Sequence, residues 1–126
     1  MNRVRKGAVD IGKEILRHKD FTAIPVMLGA QEVDNKSVVL EGSRKIVKAG
    51  SLLGGKSGKL LEGGSVAVVV AEAEKCEGVL RYDVDITDGE REASLVIRGE
   101  VYETKLPGAL TPEARAALAT RILFIK

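Results

Sequence analysis

Cysteine, histidine and aromatic residues are nearly missing from this chain. It has one cysteine, Cys76, one histidine, His18, and no tryptophan, and aromatic residues make up 3%. A lone cysteine excludes an intrachain disulfide and fits a chain made in a reducing compartment. One histidine and one cysteine do not supply the ligand set of a His/Cys zinc site. The core has to be built from Val, Leu, Ile and Ala, and few rings are available to stack on single-stranded nucleic acid. A formal net charge of +2 is too small to mark the whole chain as a nucleic-acid or membrane binder. No apolar run nears the ~20 residues that cross a bilayer. The basic first residues are not followed by an apolar h-region, so no secretory signal is expected.

What is present points to a folded domain. A length of 126 residues fits one domain, and 44% hydrophobic with 30% charged residues fits a soluble globular one. The charge is uneven. Residues 1–20 carry Arg3, Arg5, Lys6, Lys13, Arg17 and Lys19 against Asp10, Glu14 and Asp20. This stretch reads as an N-terminal basic arm preceding a single domain over residues 21–126. Ile11, Ile15 and Leu16 form one apolar stripe if the arm is helical, although Gly7 and Gly12 oppose a helix. A flexible terminus and an arm that orders on a partner both fit this composition.

The region around which the chain is organised is Gly78 to Pro107. Leu80, Tyr82, Val84 and Ile86 alternate with Arg81, Asp83 and Asp85, the period of a half-buried strand. Thr87, Asp88 and Gly89 break the run as a hairpin turn. The returning strand places Leu95, Ile97 and Val101 on one face and Val96, Arg98, Glu100 and Tyr102 on the other. Gly99 marks a bulge or a close backbone approach.

Upstream, Phe21 to Leu28 reads as a strand, and Pro25 puts it at a sheet edge because it cannot donate to a ladder. A turn at Asp34–Asn35 leads to a return strand over Val38 to Leu40, and Arg44 to Lys48 is a short strand. Gly50 to Gly64 reads as loop. Val66 to Ala71 is short and continuously apolar, as a strand covered on both faces would be. Glu72 to Gly78 is a charged turn. One helix is expected after Pro107: Thr111 suits the N-cap, Pro112 the first helical position and Glu113 the positive end of the dipole, with Ala114, Ala117 and Leu118 on one face. Ile122 to Ile125 is a short apolar strand. The fold class is therefore mainly β (α+β), a small barrel-like domain with one short C-terminal helix.

The loudest motif is GSLLGGKS, Gly50 to Ser57, which satisfies G-x-x-x-x-G-K-[ST]. In a P-loop, backbone N–H groups cradle phosphates, and here Lys56 and Ser57 would serve the outer phosphates and magnesium. That chemistry needs a helix after the loop, and Gly58, Gly63 and Gly64 work against one at ~1 kcal/mol each relative to Ala. A small nucleotide-binding protein is thus an alternative without its structural context. DVDITDG, Asp83 to Gly89, is no EF-hand loop, since Asp88 stands where the invariant glycine belongs. Cys76 has Lys75 beside it, which would lower its pKa, but only distant His18 as a base. Glu72, Glu74, Glu77, Asp83, Asp85, Glu90 and Glu92 read as a solvated acidic face. No catalytic, cofactor or metal residues are expected.

GVLRYDVD from Gly78, the short acidic turn, SLVIRGEVYETKLP and TPEARAALATRILFIK together resemble the head decoration proteins of tailed bacteriophages, the lambda-like capsid-stabilising group. AGSLLGG, Ala49 to Gly55, is similar to the loop that precedes the core in that group. The resemblance covers Val38 to Lys126. It implies a β-tulip domain that assembles as a homotrimer on the outer face of the expanded capsid. There it would cement neighbouring major capsid protein subunits against packaged DNA, in a virion assembled in bacterial cytoplasm. No enzyme activity, cofactor, membrane or direct nucleic-acid contact is implied, and another virion structural or binding module is the further alternative. Capsid contacts are expected on the arm and the Pro25 strand, at Arg5, Ile11, Ile15, Leu16, Phe21, Thr22, Ile24 and Pro25. Edge strands accept partner strands through main-chain hydrogen bonds, and three arms acting together add avidity.

Overall fold

A computed structural model describes residues 8–10, 15–17, 21–29, 37–56, 60, 67–69, 75–108 and 110–126. Its strands are β1 (Ala8–Asp10), β2 (Thr22–Leu28), β3 (Val38–Glu41), β4 (Arg44–Val47), β5 (Leu52–Gly55), β6 (Ala67–Val69), β7 (Gly78–Leu80), β8 (Asp83–Asp85), β9 (Arg91–Tyr102) and β10 (Ile122–Ile125). A 3-10 turn at Glu103–Lys105 and the helix α1 (Pro112–Leu118) separate β9 from β10.

These strands form two sheets, β1-β8-β4-β3 and β10-β9-β2-β6-β5-β7. An added pairing of β7 with β9 closes β9, β2, β6, β5 and β7 into a ring. The fold is therefore mainly β, a small barrel with one helix near the C-terminus, as the strand periods and turn residues predict. Closure leaves the barrel strands without an exposed ladder where they meet.

The expected central hairpin is split. Val79 and Leu80 pair with Val96 and Leu95 across the barrel seam. After Arg81 and Tyr82 the chain leaves the barrel, and β8 pairs instead with β4 and β1 in the second sheet. The Thr87–Gly89 turn is present, with Gly89 at φ 113 and its N–H donating to the Ile86 carbonyl at 3.1 Å. It joins one sheet to the other rather than two partners of a hairpin.

Because β9 serves two cores, the expected polar face on it is corrected too. Leu95 belongs to the cluster of Leu28, Val38, Val47, Leu53, Leu80 and Val84, while Val96 belongs to the cluster under α1 and β10, with Val79, Val101, Leu118 and Phe124. Both valine and leucine are fully buried. Gly99, at φ 147, is the residue at which β9 takes β10 as a parallel neighbour, from Ile122 onward.

Two further expectations change. Leu52 to Gly55, read as loop, is a barrel strand paired to β6 and β7. Val38 to Leu40 does not return along Phe21 to Leu28 but pairs with β4 in the second sheet. Its tight turn is Gly42–Ser43, with Gly42 at φ 66, the conformation a two-residue hairpin with Gly in its first central place requires. The Asp34–Asn35 turn lies outside the described residues.

The helix matches its sequence signals. Thr111 is the N-cap, and its hydroxyl accepts from the Ala114 N–H at 3.2 Å. Ala114 and Leu118 are buried. Removing the cap in Thr111→Ala is expected to cost about 1 kcal/mol, read from the urea midpoint at unchanged slope. A midpoint equal to that of the parent chain would show that the helix is held by its packing alone.

Candidate interaction surface

The arm residues proposed for capsid contact separate into two groups. Arg5 and Ile11 lie outside the described residues. Ile15 and Leu16 are in the core, at 0% and 5% exposure, packed with Val96, Val101, Leu118 and Phe124. They do not form a helical stripe. Leu16 makes an isolated antiparallel bridge with Val101, and Ile15 accepts at its carbonyl from the Tyr102 N–H at 2.8 Å. The Arg17 guanidinium pairs with Glu100 at 3.1 Å. Ala8–Asp10 pairs with β8. A buried isoleucine and leucine contribute to folding, not to a surface that a partner meets, and their apolar spacing reads the same in either role.

On β2, Phe21 is half-buried, Thr22 and Pro25 are exposed, and Ile24 packs against the barrel interior. The strand is paired with β9 from Thr22 to Leu28, and with β6 at Leu28. β2 is thus an interior strand of the larger sheet, but β6 reaches only its Leu28 end, so among the described residues Pro25 is paired on the β9 side alone. Pro25 sits opposite Ser94. The Arg81 N–H donates to the Ser94 carbonyl at 3.0 Å, which brings Arg81 beside the same row. Its guanidinium lies 4.3 Å from the Phe21 ring centroid and 4.8 Å from that of Tyr82. Stacking of this kind is worth about 0.5–1 kcal/mol at exposed sites. It places two of the chain's few rings beside a fixed cation.

Among the described residues the outermost strand of the larger sheet is β10, parallel to β9 and placed beyond the barrel ring. Ile122 and Phe124 point into the core at 2% and 5% exposure, while Leu123 between them is 58% exposed. Leu40, on the outer strand of the second sheet, is 62% exposed. Sequence periodicity marks Leu123 and Leu40 only as strand residues. Leu123 is exposed because the opposite face of β10, with Ile122 and Phe124, is the one packed on the core.

Two carboxylates assigned to a solvated face are buried, because each satisfies backbone donors. Asp83 is 1% exposed, accepts from the Ala49 N–H at 2.6 Å and pairs with the Lys48 ammonium at 2.9 Å. Glu77 is 8% exposed, and one of its oxygens accepts from Gly55 N–H at 3.1 Å and Leu60 N–H at 2.8 Å. The second case bears on GSLLGGKS. Leu52 to Gly55 of the motif is strand β5, and Glu77 occupies the Gly55 N–H. Lys56 is exposed, and Ser57 lies outside the described residues.

Asp85 is different. Its carboxyl is held below the ordinary value of 3.8, first by the Thr87 hydroxyl, next by the Thr87 N–H, with Arg44 adding to both. A depressed folded value means that these bonds favour the fold above the unfolded value and are lost as pH falls through the folded one. The Thr87 amide resonance is expected to titrate with a midpoint below 3.8, and Thr87→Val to raise that midpoint. An unmoved midpoint in Thr87→Val would show that Thr87 does not hold the carboxylate.

Burial pushes the Cys76 thiol up from its ordinary value, opposite to the lowering expected from Lys75. The thiol is 5% exposed, with the Ala114 carbonyl 4.0 Å away. Among the described residues no group of His, Cys, Asp and Glu is arranged to hold a metal ion, and no helix is long and apolar enough to cross a membrane. The chain matches no protein-family model, no curated protein and no solved structure.

Proposed function

We propose that this chain is a non-enzymatic capsid decoration protein that binds the outer surface of an expanded phage head as a homotrimer and cements its major capsid protein subunits. The reading is supported by the resemblance over Val38 to Lys126. The structural observation that carries it is β10: a strand paired along one side with β9 and, among the described residues, at the limit of its sheet, with Leu123 turned outward. Such a strand offers main-chain donors and acceptors to a neighbouring subunit without any change in the barrel behind it. Three copies would engage three such edges at once, so modest single contacts sum to firm attachment.

Co-sedimentation of the purified chain with expanded and unexpanded heads tests the reading. Binding to expanded heads alone is expected, at the stoichiometry of a trimer. Binding to neither form ends it. Removal of the first twenty residues is a poor probe, since it strips Ile15 and Leu16 from the core.

A further inference from the structure

The geometry points to β10 as a docking edge for an extended, acidic segment of a partner protein. This inference rests on the reading of the chain as one that docks to other subunits, and adds the chemistry of what is docked.

Edge strands in native proteins are usually guarded by a charge, a proline or a bulge. The outer strand of the second sheet, β3, ends in Glu41 opposite Arg44, and its exposed Leu40 faces Lys45 across the ladder. β2 carries Pro25. β10 has none of these devices: its four residues are Ile, Leu, Phe and Ile, in unbroken parallel register with Gly99 to Tyr102. A strand added there would lay one side chain of every two against the outward Leu123 and half-buried Ile125, which neighbours Tyr102.

The surroundings select the charge of that strand. Arg121 and Lys126 bracket β10 in the chain. Lys105 places its ammonium 4.9 Å from the Tyr102 ring centroid, and Arg115 its guanidinium 6.0 Å from that of Phe124. Arg17 lies across Glu100, the neighbour of Leu123. Arg17 and Arg115 are balanced by the two carboxylates in this set, Glu100 and Glu103, so the positive excess around β10 is that of Arg121, Lys126 and Lys105. The strand is thus apolar along its length and cationic around it. A segment alternating apolar and acidic residues is complementary to both features, whereas a second copy of β10 would bring Arg121 and Lys126 against their own kind.

The test uses the full chain, ¹⁵N-labelled, and a blocked heptapeptide alternating Val and Glu, with the Val/Lys peptide and a short thymidine oligonucleotide as comparisons. The acidic peptide is expected to shift amides of residues 122–126 and 99–102, and to bind at least tenfold more tightly than the basic one. Leu123→Asp should weaken it about tenfold and Lys126→Glu about fivefold; both positions are exposed, so the spectra of the variants should match the parent elsewhere. Equal affinity for the basic peptide would overturn the inference. So would shifts confined to other strands, an equal response to the oligonucleotide, or self-association through β10 without peptide. None of these results depends on capsids, so failure here and failure of the decoration reading are separate outcomes.

Discussion

Lys48→Met is expected to lower the stability of the fold by about 3–5 kcal/mol, the usual consequence of stripping the partner from a buried charge. Asp83 is 1% exposed, and its two oxygens are met by the Ala49 N–H and the Lys48 ammonium. Methionine keeps an unbranched side chain of similar length but leaves the carboxylate with one donor. Lys48 itself is 28% exposed along its side chain, so the reverse change, Asp83→Leu, lets the ammonium turn to water and costs less. What it leaves is the Ala49 N–H without an acceptor, about 1–3 kcal/mol. The double variant Lys48→Met, Asp83→Leu should therefore be more stable than Lys48→Met alone. Urea unfolding of the three variants decides the matter. A Lys48→Met midpoint at the parent value would mean that the ion pair contributes nothing to the fold.

Gly78→Ala is the second large effect, at about 2–3 kcal/mol from overpacking. A Cβ at this position would stand 2.6 Å from the Val96 carbonyl oxygen and 2.8 Å from two Leu95 side-chain carbons. The nearest atom is backbone, and it belongs to the β7–β9 pairing that closes the barrel. It cannot yield without opening the seam. Gly89→Ala is the matched control: its φ of 113 opposes a side chain, but nothing lies within 4 Å of the new carbon. Left-handed strain alone costs about 1–2 kcal/mol. Gly78→Ala should be the more damaging of the two, with amide exchange accelerated first at Leu95 and Val96. Equal midpoints would show that the seam tolerates the added carbon.

Local signals in the sequence carried a good part of this fold. The Thr111-Pro112 start of α1, the apolar run of β10 and the period-two stretch of β2 are set by the residues themselves. Their physics is short-ranged: a cap hydroxyl, a fixed φ, side chains that must point alternately up and down. Partnership is not short-ranged. The alternation through Leu80, Tyr82, Val84 and Ile86 is the same whether those residues form one strand or two in different sheets, so the change of sheet at Arg81–Tyr82 left no mark in the pattern. Leu52 to Gly55 looked like loop because glycine is poor in strands, yet a barrel interior asks for small residues where strands crowd. Asp83 and Glu77 looked solvated because a carboxylate is costly to bury; only the folded arrangement supplies the N–H groups that offset the cost. Of the surface residues, Thr22 and Pro25 were found from their position on a strand. Arg81, Tyr82 and Leu123 became visible only once their neighbours were in place.

The ring that β9 completes has a kinetic corollary. Its ladders join Thr22 to Arg98 and Leu28 to Arg91, partners far apart along the chain. Contacts between distant residues have to pay the entropy of large loops before any stabilisation returns, which places such proteins in the millisecond-to-second range of folding times. Newly made copies therefore spend longest with β2 unpaired from β9, and a cell producing them in quantity would meet its greatest risk of misassembly in that interval, before the last ladder shuts.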